Sequence, residues 1–140
     1  MDAEEKSVKL NQRGTIMEGT LQVFEDMPNE SGKSLIVLSF NEQSYFGDGE
    51  ELFSALQSLR YKLEKENIQI LCNGAVKNIY PSTMSMSMGA GRLAYKMTDG
   101  QHAKTSDLVD IFDCNETLEF TDVETQKEYY WRWVKSFRKR

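Results

Sequence analysis

Apolar residues in the first third of the chain fall into short runs of strand length. Residues 14–24 alternate apolar and polar positions imperfectly, with Gly19 interrupting, which indicates one strand or a bulged pair of short strands. Residues 34–40, SLIVLSF, form an almost continuous apolar run, which is typical of a strand in the centre of a sheet. The composition of residues 28–33 is that of a turn, so the two strands are predicted to form a hairpin.

The pattern then changes to helical spacing. Four leucines recur at i, i+4, i+7 and i+11, and a phenylalanine widens their stripe: Leu52, Leu56, Leu59, Leu63 and Phe53. Asp48 is the predicted N-cap, because Glu51 follows it at the capping-box spacing. Four charged residues are predicted to face away from the sheet: Arg60, Lys62, Glu64 and Lys65. We therefore expect an amphipathic helix that packs on a sheet and ends at residues 66–67.

Three further strands are predicted in the second half of the chain. Residues 68–72 form a buried strand that ends at Asn73-Gly74, residues 92–97 alternate apolar and polar positions, and residues 108–112 are flanked by acids. Asp99-Gly100 is a turn of the hairpin type.

The C-terminal segment fits two structures. Thr121 and Glu124 have capping-box spacing, and four residues then follow along one helical face, with Trp133 beside them: Val123, Tyr130, Val134 and Phe137. The same segment also places aromatic residues at alternate positions, as a strand would: Tyr129, Trp131 and Trp133. We prefer the helix because of the cap and the terminal cations.

These elements predict an α+β fold. Its order is β-β-α-β-β-β-α, with an antiparallel or mixed sheet of about five strands and two helices. One domain is expected over residues 1–140, with residues 1–13 polar and flexible.

Charge is distributed unevenly along the chain. Residues 124–140 hold six Lys/Arg and two acids, a net charge of +4, so residues 1–123 hold 11 bases and 20 acids, a net charge of −9. An acidic body disfavours nucleic acid as a partner and favours a basic protein. Only two cysteines occur, without metal-ligand spacing, so neither a disulfide framework nor zinc is indicated, and both are expected to be buried. No segment has the length and apolarity of a membrane span or the pattern of a secretion signal, so a cytoplasmic location is expected.

The loop YPSTMSMSMGAGRLAY contains the most distinctive residues. Met84, Met86 and Met88 alternate, and soft thioethers at this spacing can bind Cu(I). No His or Cys lies near them in sequence, so no metal or other cofactor is predicted, and we expect them to fill space under the loop or contact a partner.

Two other kinds of site are weakly indicated. Gly89-Ala90-Gly91 could cradle an anion with Arg92 and Lys96, but the loop leads into a strand and lacks a phosphate-binding motif. The only histidine, His102, lies in a polar turn, where a lone histidine is more often an exposed residue than a general base. No catalytic residue is therefore assigned, and the chain is more readily explained as a binding protein than as an enzyme.

Acidic residues surround the last predicted strand. Asp107, Asp110 and Asp113 recur at i, i+3 and i+6, which in a strand places the first and third on one face and the second on the other. They either protect a sheet edge by charge or form a patch for a basic partner.

Residues 50–113 resemble a family of small bacterial proteins. The shared pattern consists of the helix ELFSALQSLRYKLEKENI, then ILCNGA, then the YPSTMSMSMGAGRLAY loop, and finally LVDIFD. The resemblance implies the fold and a bacterial cytoplasmic setting, and it transfers no catalytic residue.

Two classes of function remain open. The first is a non-catalytic binding module, plausibly an immunity-type inhibitor that covers a basic bacterial toxin domain such as a nuclease. Its predicted partner-binding residues are Asp107, Asp110, Asp113, Tyr80, Met84, Met86 and Met88. The second is a small-ligand-binding domain or weak enzyme, for which the predicted pocket residues are Asn73, Tyr80, Ser82, Gly89, Gly91 and Arg92.

Overall fold

The computed structural model of the protein describes residues 3–26, 32–114 and 118–138. The described strands are β1 (Glu4–Gln12), β2 (Thr15–Phe24), β3 (Ser34–Phe40), β4 (Gln43–Gly49), β5 (Ile68–Ile70), β6 (Ile79–Tyr80), β7 (Leu93–Lys96) and β8 (Leu108–Asp110). The helices are α1 (Leu52–Glu64), α2 (Thr83–Met88) and α3 (Val123–Arg138). The predicted α+β class is confirmed. The turn predicted at 28–33 falls mostly on residues 28–31, which lie outside the described residues.

The larger sheet has the strand order β4-β3-β2-β1-β5, and all its neighbours are antiparallel. Side chains alternate across it, so that Ile36 and Leu38 of β3 are fully buried while Leu35 and Val37 are half-buried. Helix α1 packs its predicted leucine stripe on the buried face, and all four leucines are at most 1% exposed. This face and α1 form the main core.

Residues 4–12 form a strand, so the prediction of a flexible segment at 1–13 is wrong. Strand β1 lies between β2 and β5 and is paired on both sides. Its buried residues are Val8 and Leu10, which alternate with polar positions. Two apolar residues among many charged ones give only a weak strand pattern in the sequence. The strand is stabilised instead by pairing with a neighbour on each side.

Residues 43–49 form strand β4 and not the entry to α1. The N-cap is Glu51, whose carboxylate accepts a hydrogen bond from the Ser54 backbone N–H at 2.8 Å, so the prediction of Asp48 as N-cap is wrong. Gly47 faces the helix, and a Cβ there would overlap the backbone of Ala55 and Leu59. The absence of a side chain therefore lets α1 lie directly on the strand.

Strand β4 is also an edge of the sheet. Phe46 is 55% exposed there, and the Lys62 ammonium lies 3.9 Å from the centre of its ring. The same ammonium donates a hydrogen bond to the Phe46 carbonyl.

A second, three-stranded antiparallel sheet has the order β6-β7-β8. A single 3-10 turn, Asn73–Ala75, links it to β5. The turn is bound to the end of β8, because Gly74 N–H donates to the Ile111 carbonyl at 2.8 Å. A Cβ on Gly74 would overlap Leu56, so the turn packs tightly against α1.

The C-terminal segment is a helix, as preferred from the sequence. Its N-terminus is capped by Asp122, which accepts from the Thr125 N–H at 2.7 Å, so the predicted cap at Thr121 is displaced by one residue. The Thr125 hydrogen bond lowers the pKa of Asp122. Glu64 of α1 also accepts from the Val123 N–H at 2.9 Å, which joins the two helices.

Arg60 is buried, so the prediction that it faces away from the sheet is wrong. It is 1% exposed and bonds to Gln126 of α3 at 2.6 Å and to the carbonyls of Gly74 and Thr121 at 3.0 and 2.7 Å. A charged side chain on a helix is usually solvated, and here three acceptors that are distant in sequence compensate for the burial.

Candidate binding surface

Part of the methionine-rich loop forms a short helix, α2, where the sequence predicted an irregular loop. The Ser82 hydroxyl caps it by accepting from the Ser85 N–H at 3.0 Å. Beyond it, Ala90 and Gly91 both have positive φ, 58° and 68°, which turns the chain into β7. The Ala90 carbonyl accepts from the Leu52 N–H at 2.7 Å, so the loop is attached to the start of α1.

Helical geometry separates the three methionines. Met84 and Met88 are four residues apart and are 69% and 82% exposed, whereas Met86 is half-buried. Alternate spacing turns three side chains to one side only in extended backbone, so the helix removes the arrangement on which the Cu(I) alternative depended.

Met84 and Met88 line an apolar groove of about 330 Å³. We call it the methionine groove, and its lining residues are Ser82, Met84, Ser85, Met88, Gly89, Leu93, Tyr95 and Leu108. Leu93 is 45% exposed. Because β7 pairs with β8, Tyr95 lies opposite Leu108, and the strands form the floor of the groove.

A second cavity of about 330 Å³ adjoins the groove and shares Ser82 and Tyr95 with it. We call it the aromatic pocket, and its lining residues are Tyr80, Pro81, Ser82, Thr83, Tyr95, Met97, Ala103, Tyr130 and Trp133. The rings of Tyr80 and Tyr130 stack with centroids 4.2 Å apart. Trp133 is fixed by hydrogen bonds from its indole N–H to the carbonyls of Thr98 and Gln101, at 3.0 and 3.2 Å. Burial raises the pKa of the Tyr80 hydroxyl.

The three predicted aspartates do not form one free acidic surface. Asp110 bonds to Arg92 at 2.9 Å, and Asp113 bonds to Lys6 at 2.9 Å. Asp107 accepts from the Lys104 backbone N–H. Asp110 is nevertheless paired across strands with Leu93, so it lies beside the methionine groove.

The residues predicted for a small-ligand pocket are dispersed. Ser82 lines both cavities, Tyr80 lines the aromatic pocket and Gly89 lines the groove. Asn73 is buried and donates to the Asp110 carbonyl at 3.0 Å. Gly91 is packed against Phe53.

Arg92 is occupied by carboxylates. Its guanidinium bonds to both oxygens of Glu4, at 2.6 and 2.7 Å, as well as to Asp110. These bonds lower the pKa of Glu4 and raise that of Arg92. Two carboxylates satisfy this guanidinium, which weakens its candidacy as an anion ligand.

The side chains that could react or bind a metal ion either lie apart from one another or have contacts within the fold. His102 stacks on Phe137 with ring centroids 4.4 Å apart. Cys72 is fully buried, which raises its thiol pKa to about 12, whereas Cys114 is exposed, contrary to the prediction that both cysteines are buried. The described residues contain no cluster of three or more His, Cys, Asp or Glu side chains that could hold a metal ion.

Several residues of this surface could not be assigned to it from the sequence. Leu93, Tyr95 and Leu108 were predicted only as strand residues, and their register beside α2 was needed to place them in the groove. Trp133 enters the aromatic pocket from α3, far along the chain. The only sequence signal was the number of aromatic residues on α3.

Comparison with models of known protein families and with curated protein sequences finds no match for this chain. Within the described residues, no helix combines the length and the apolarity needed to cross a membrane.

Proposed function

We propose that this protein is a non-catalytic binding module that docks a basic partner protein through the methionine groove. The observation that carries the proposal is the exposure of Met84, Met88 and Leu93 around one apolar cavity. Adjacent exposed apolar side chains of this kind mark interaction sites, and methionine is enriched at interfaces because its flexible thioether adapts to a partner.

The charge distribution supports a basic partner. Residues 1–123 have a net charge of −9, and complementary potentials accelerate association and select partners. Asp110 and Asp113 already have cationic neighbours, so the overall field of the body contributes more to this attraction than those two side chains.

An immunity-type inhibitor in the bacterial cytoplasm fits these properties. Such a protein would cover a basic toxin domain, for example a nuclease. It would need apolar side chains that anchor the partner and a negative electrostatic field that attracts it, but it would not need a catalytic group. We propose the bacterial setting from the sequence pattern of residues 50–113 alone, and the buried Cys72 thiol is compatible with a reducing compartment.

The test is capture of a partner from the native bacterium with matched variants. The double variant Met84→Ala, Met88→Ala removes the exposed thioethers, and Met86→Ala is the control because it changes the same helix outside the groove. We expect a captured basic protein to bind the double variant about tenfold or more weakly, since an anchor residue contributes about 1 kcal/mol or more. Affinity for the control should be unchanged, and circular dichroism should show both variants folded.

Two outcomes would contradict the proposal. One is that the captured proteins bind the double variant as well as the native protein. The other is that the groove-dependent partner is acidic.

Small-ligand binding is a second candidate function, and the aromatic pocket is the observation in its favour. Its volume of about 330 Å³ is at the lower end for ligand sites, and Tyr80 and Ser82 come from the loop predicted for such a site. Co-purification of a stoichiometric small molecule that is lost in Tyr80→Ala would favour this alternative.

A further inference from the structure

We infer that the aromatic pocket receives a lysine or arginine side chain of the partner. This inference rests on the proposed function, because it identifies the chemistry by which a basic protein is recognised next to the methionine groove.

Aromatic rings dominate the walls of the pocket. Tyr80, Tyr95, Tyr130 and Trp133 all line it. Tyr130 and Trp133 have ring centroids 6.3 Å apart, and Tyr80 stacks on Tyr130. A ring attracts a cation through the quadrupole of its open face, and tryptophan is the strongest in this respect; the faces by which Tyr80 and Tyr130 stack on each other are closed to a cation.

The polar atoms of the pocket also match a cation. None of the residues that line it carries a charge, so an anion would have no cation to meet. The Trp133 indole N–H is used by two carbonyl oxygens and is not a free donor. The lining residues also carry hydroxyl oxygens, a type of acceptor suited to an ammonium or guanidinium group, although that of Ser82 already accepts from the Ser85 N–H. The nearby Lys127 ammonium is held by the Tyr61 hydroxyl at 3.1 Å and lies 3.8 Å from Glu124.

Continuity with the groove supports a protein side chain as the occupant. Because Ser82 and Tyr95 border both cavities, a partner segment lying along the groove can extend one side chain into the pocket. Tyr130 and Trp133 belong to the segment 124–140, whose net charge is +4. The net charge of −9 on residues 1–123 therefore attracts the basic partner as a whole and does not by itself select the side chain in the pocket.

The pocket can be tested without the partner, because the chain has only two tryptophans. In the Trp131→Phe variant, Trp133 is the sole tryptophan and reports on the pocket by fluorescence. The probe is N-acetylarginine amide, and the matched neutral probe is N-acetylcitrulline amide. We expect a saturable change in fluorescence with the arginine probe and none with the citrulline probe up to its solubility limit.

A second variant tests the rings themselves. Tyr95→Leu in the same background should weaken the arginine probe about two- to thirtyfold, the range for one cation–π contact. Phe46→Leu replaces an exposed aromatic ring outside the pocket and should leave the affinity unchanged. Thermal unfolding of each variant confirms that the fold is retained.

Absence of a saturable response, or equal responses to the two probes, would overturn the inference. A groove-dependent basic partner found together with a silent pocket refutes this inference alone. A pocket selective for arginine without any groove-dependent partner refutes the proposed function and leaves the inference about the pocket standing.

Discussion

Two buried polar residues join the parts of the core. Arg60 bonds only to uncharged oxygens among its described hydrogen bonds, and burial lowers its pKa. Gln126 is fully buried, accepts from Arg60, and donates to the carbonyls of Gly74, Val76 and Ile79 at 2.9, 3.1 and 2.9 Å. The pair therefore holds the 3-10 turn between α1 and α3 and satisfies backbone groups that would otherwise be buried without partners.

Replacing Arg60 with methionine is expected to lower the free energy of unfolding by about 2 to 4 kcal/mol. The substitution removes a buried charge, but it leaves the Gln126 side-chain oxygen and the Thr121 carbonyl without the donor that Arg60 supplies, at about 1 to 3 kcal/mol each. Urea denaturation measures the change, and Lys65→Met, at an exposed position next to the same helix, is the control. A loss no larger than that of the control would show that the buried guanidinium does not stabilise the fold.

At the scale of elements, the close contact between β4 and α1 depends on a glycine. The Gly47 position has no room for a methyl group because helix backbone occupies that space. A rigid backbone on both sides cannot relax as a flexible side chain could.

We expect Gly47→Ala to destabilise the protein by about 1 to 3 kcal/mol, the usual cost of overpacking. Thermal or chemical unfolding is the measurement. Asp48→Ala is the matched control, since Asp48 is exposed on the opposite face of the strand. Equal stability of the two variants would mean that α1 does not lie as close to β4 as described.

How well each element could be predicted depended on its local pattern. The stripe of α1 and the five predicted strands were found because periodicity reveals an amphipathic face. Strands β1, β4 and β6 were missed. Polar residues and glycines occupy most positions of β1 and β4, and β6 has only two residues, so the stability of these strands comes from pairing. Helix α2 has only six residues, too few for a periodic signal.

The candidate site was only partly predictable for a related reason. Met84 and Met88 were identified by their composition, whereas Leu93 and Leu108 became neighbours only through strand pairing. By contrast, Arg92 was predicted as a residue of the small-ligand pocket, where its charge also made it a possible anion ligand. Its partner Glu4 is 88 residues away in sequence, so local reasoning could not show that the guanidinium is occupied.

On the scale of the whole molecule, one ionic network connects the two sheets. Arg92 precedes β7 of the smaller sheet, Glu4 begins β1 of the larger one, and Asp110 ends β8. A second ion pair, between Lys6 and Asp113, joins the same two regions. Planar, two-point bonding between Arg92 and Glu4 gives the connection a defined geometry.

The contribution of Glu4 should depend on pH. Its hydrogen bond with Arg92 lowers its pKa below the ordinary value of 4.5, so the carboxylate stabilises the fold fully above that value. As pH falls through the lowered pKa of the folded state, this contribution is lost. Glu4→Gln should therefore be less stable than the native protein at neutral pH, by at most about 1 kcal/mol because the pair is partly exposed.

Unfolding curves over a pH series measure this dependence. The stability difference between the native protein and Glu4→Gln should shrink below pH 4.5, while Glu5→Gln, an adjacent exposed control, should show no comparable trend. A difference that persists unchanged in acid would mean that the side chain acts through packing and not through its charge.

The contact between Lys62 and Phe46 has a consequence for solubility. An exposed edge strand with an apolar residue invites edge-to-edge pairing with other chains, which is a route to aggregation. The Lys62 ammonium covers the Phe46 ring and occupies its carbonyl, which an incoming strand would need as an acceptor. Any intruding chain would have to displace a hydrated cation before it could add to the sheet, so this single lysine acts as a gatekeeper against self-assembly.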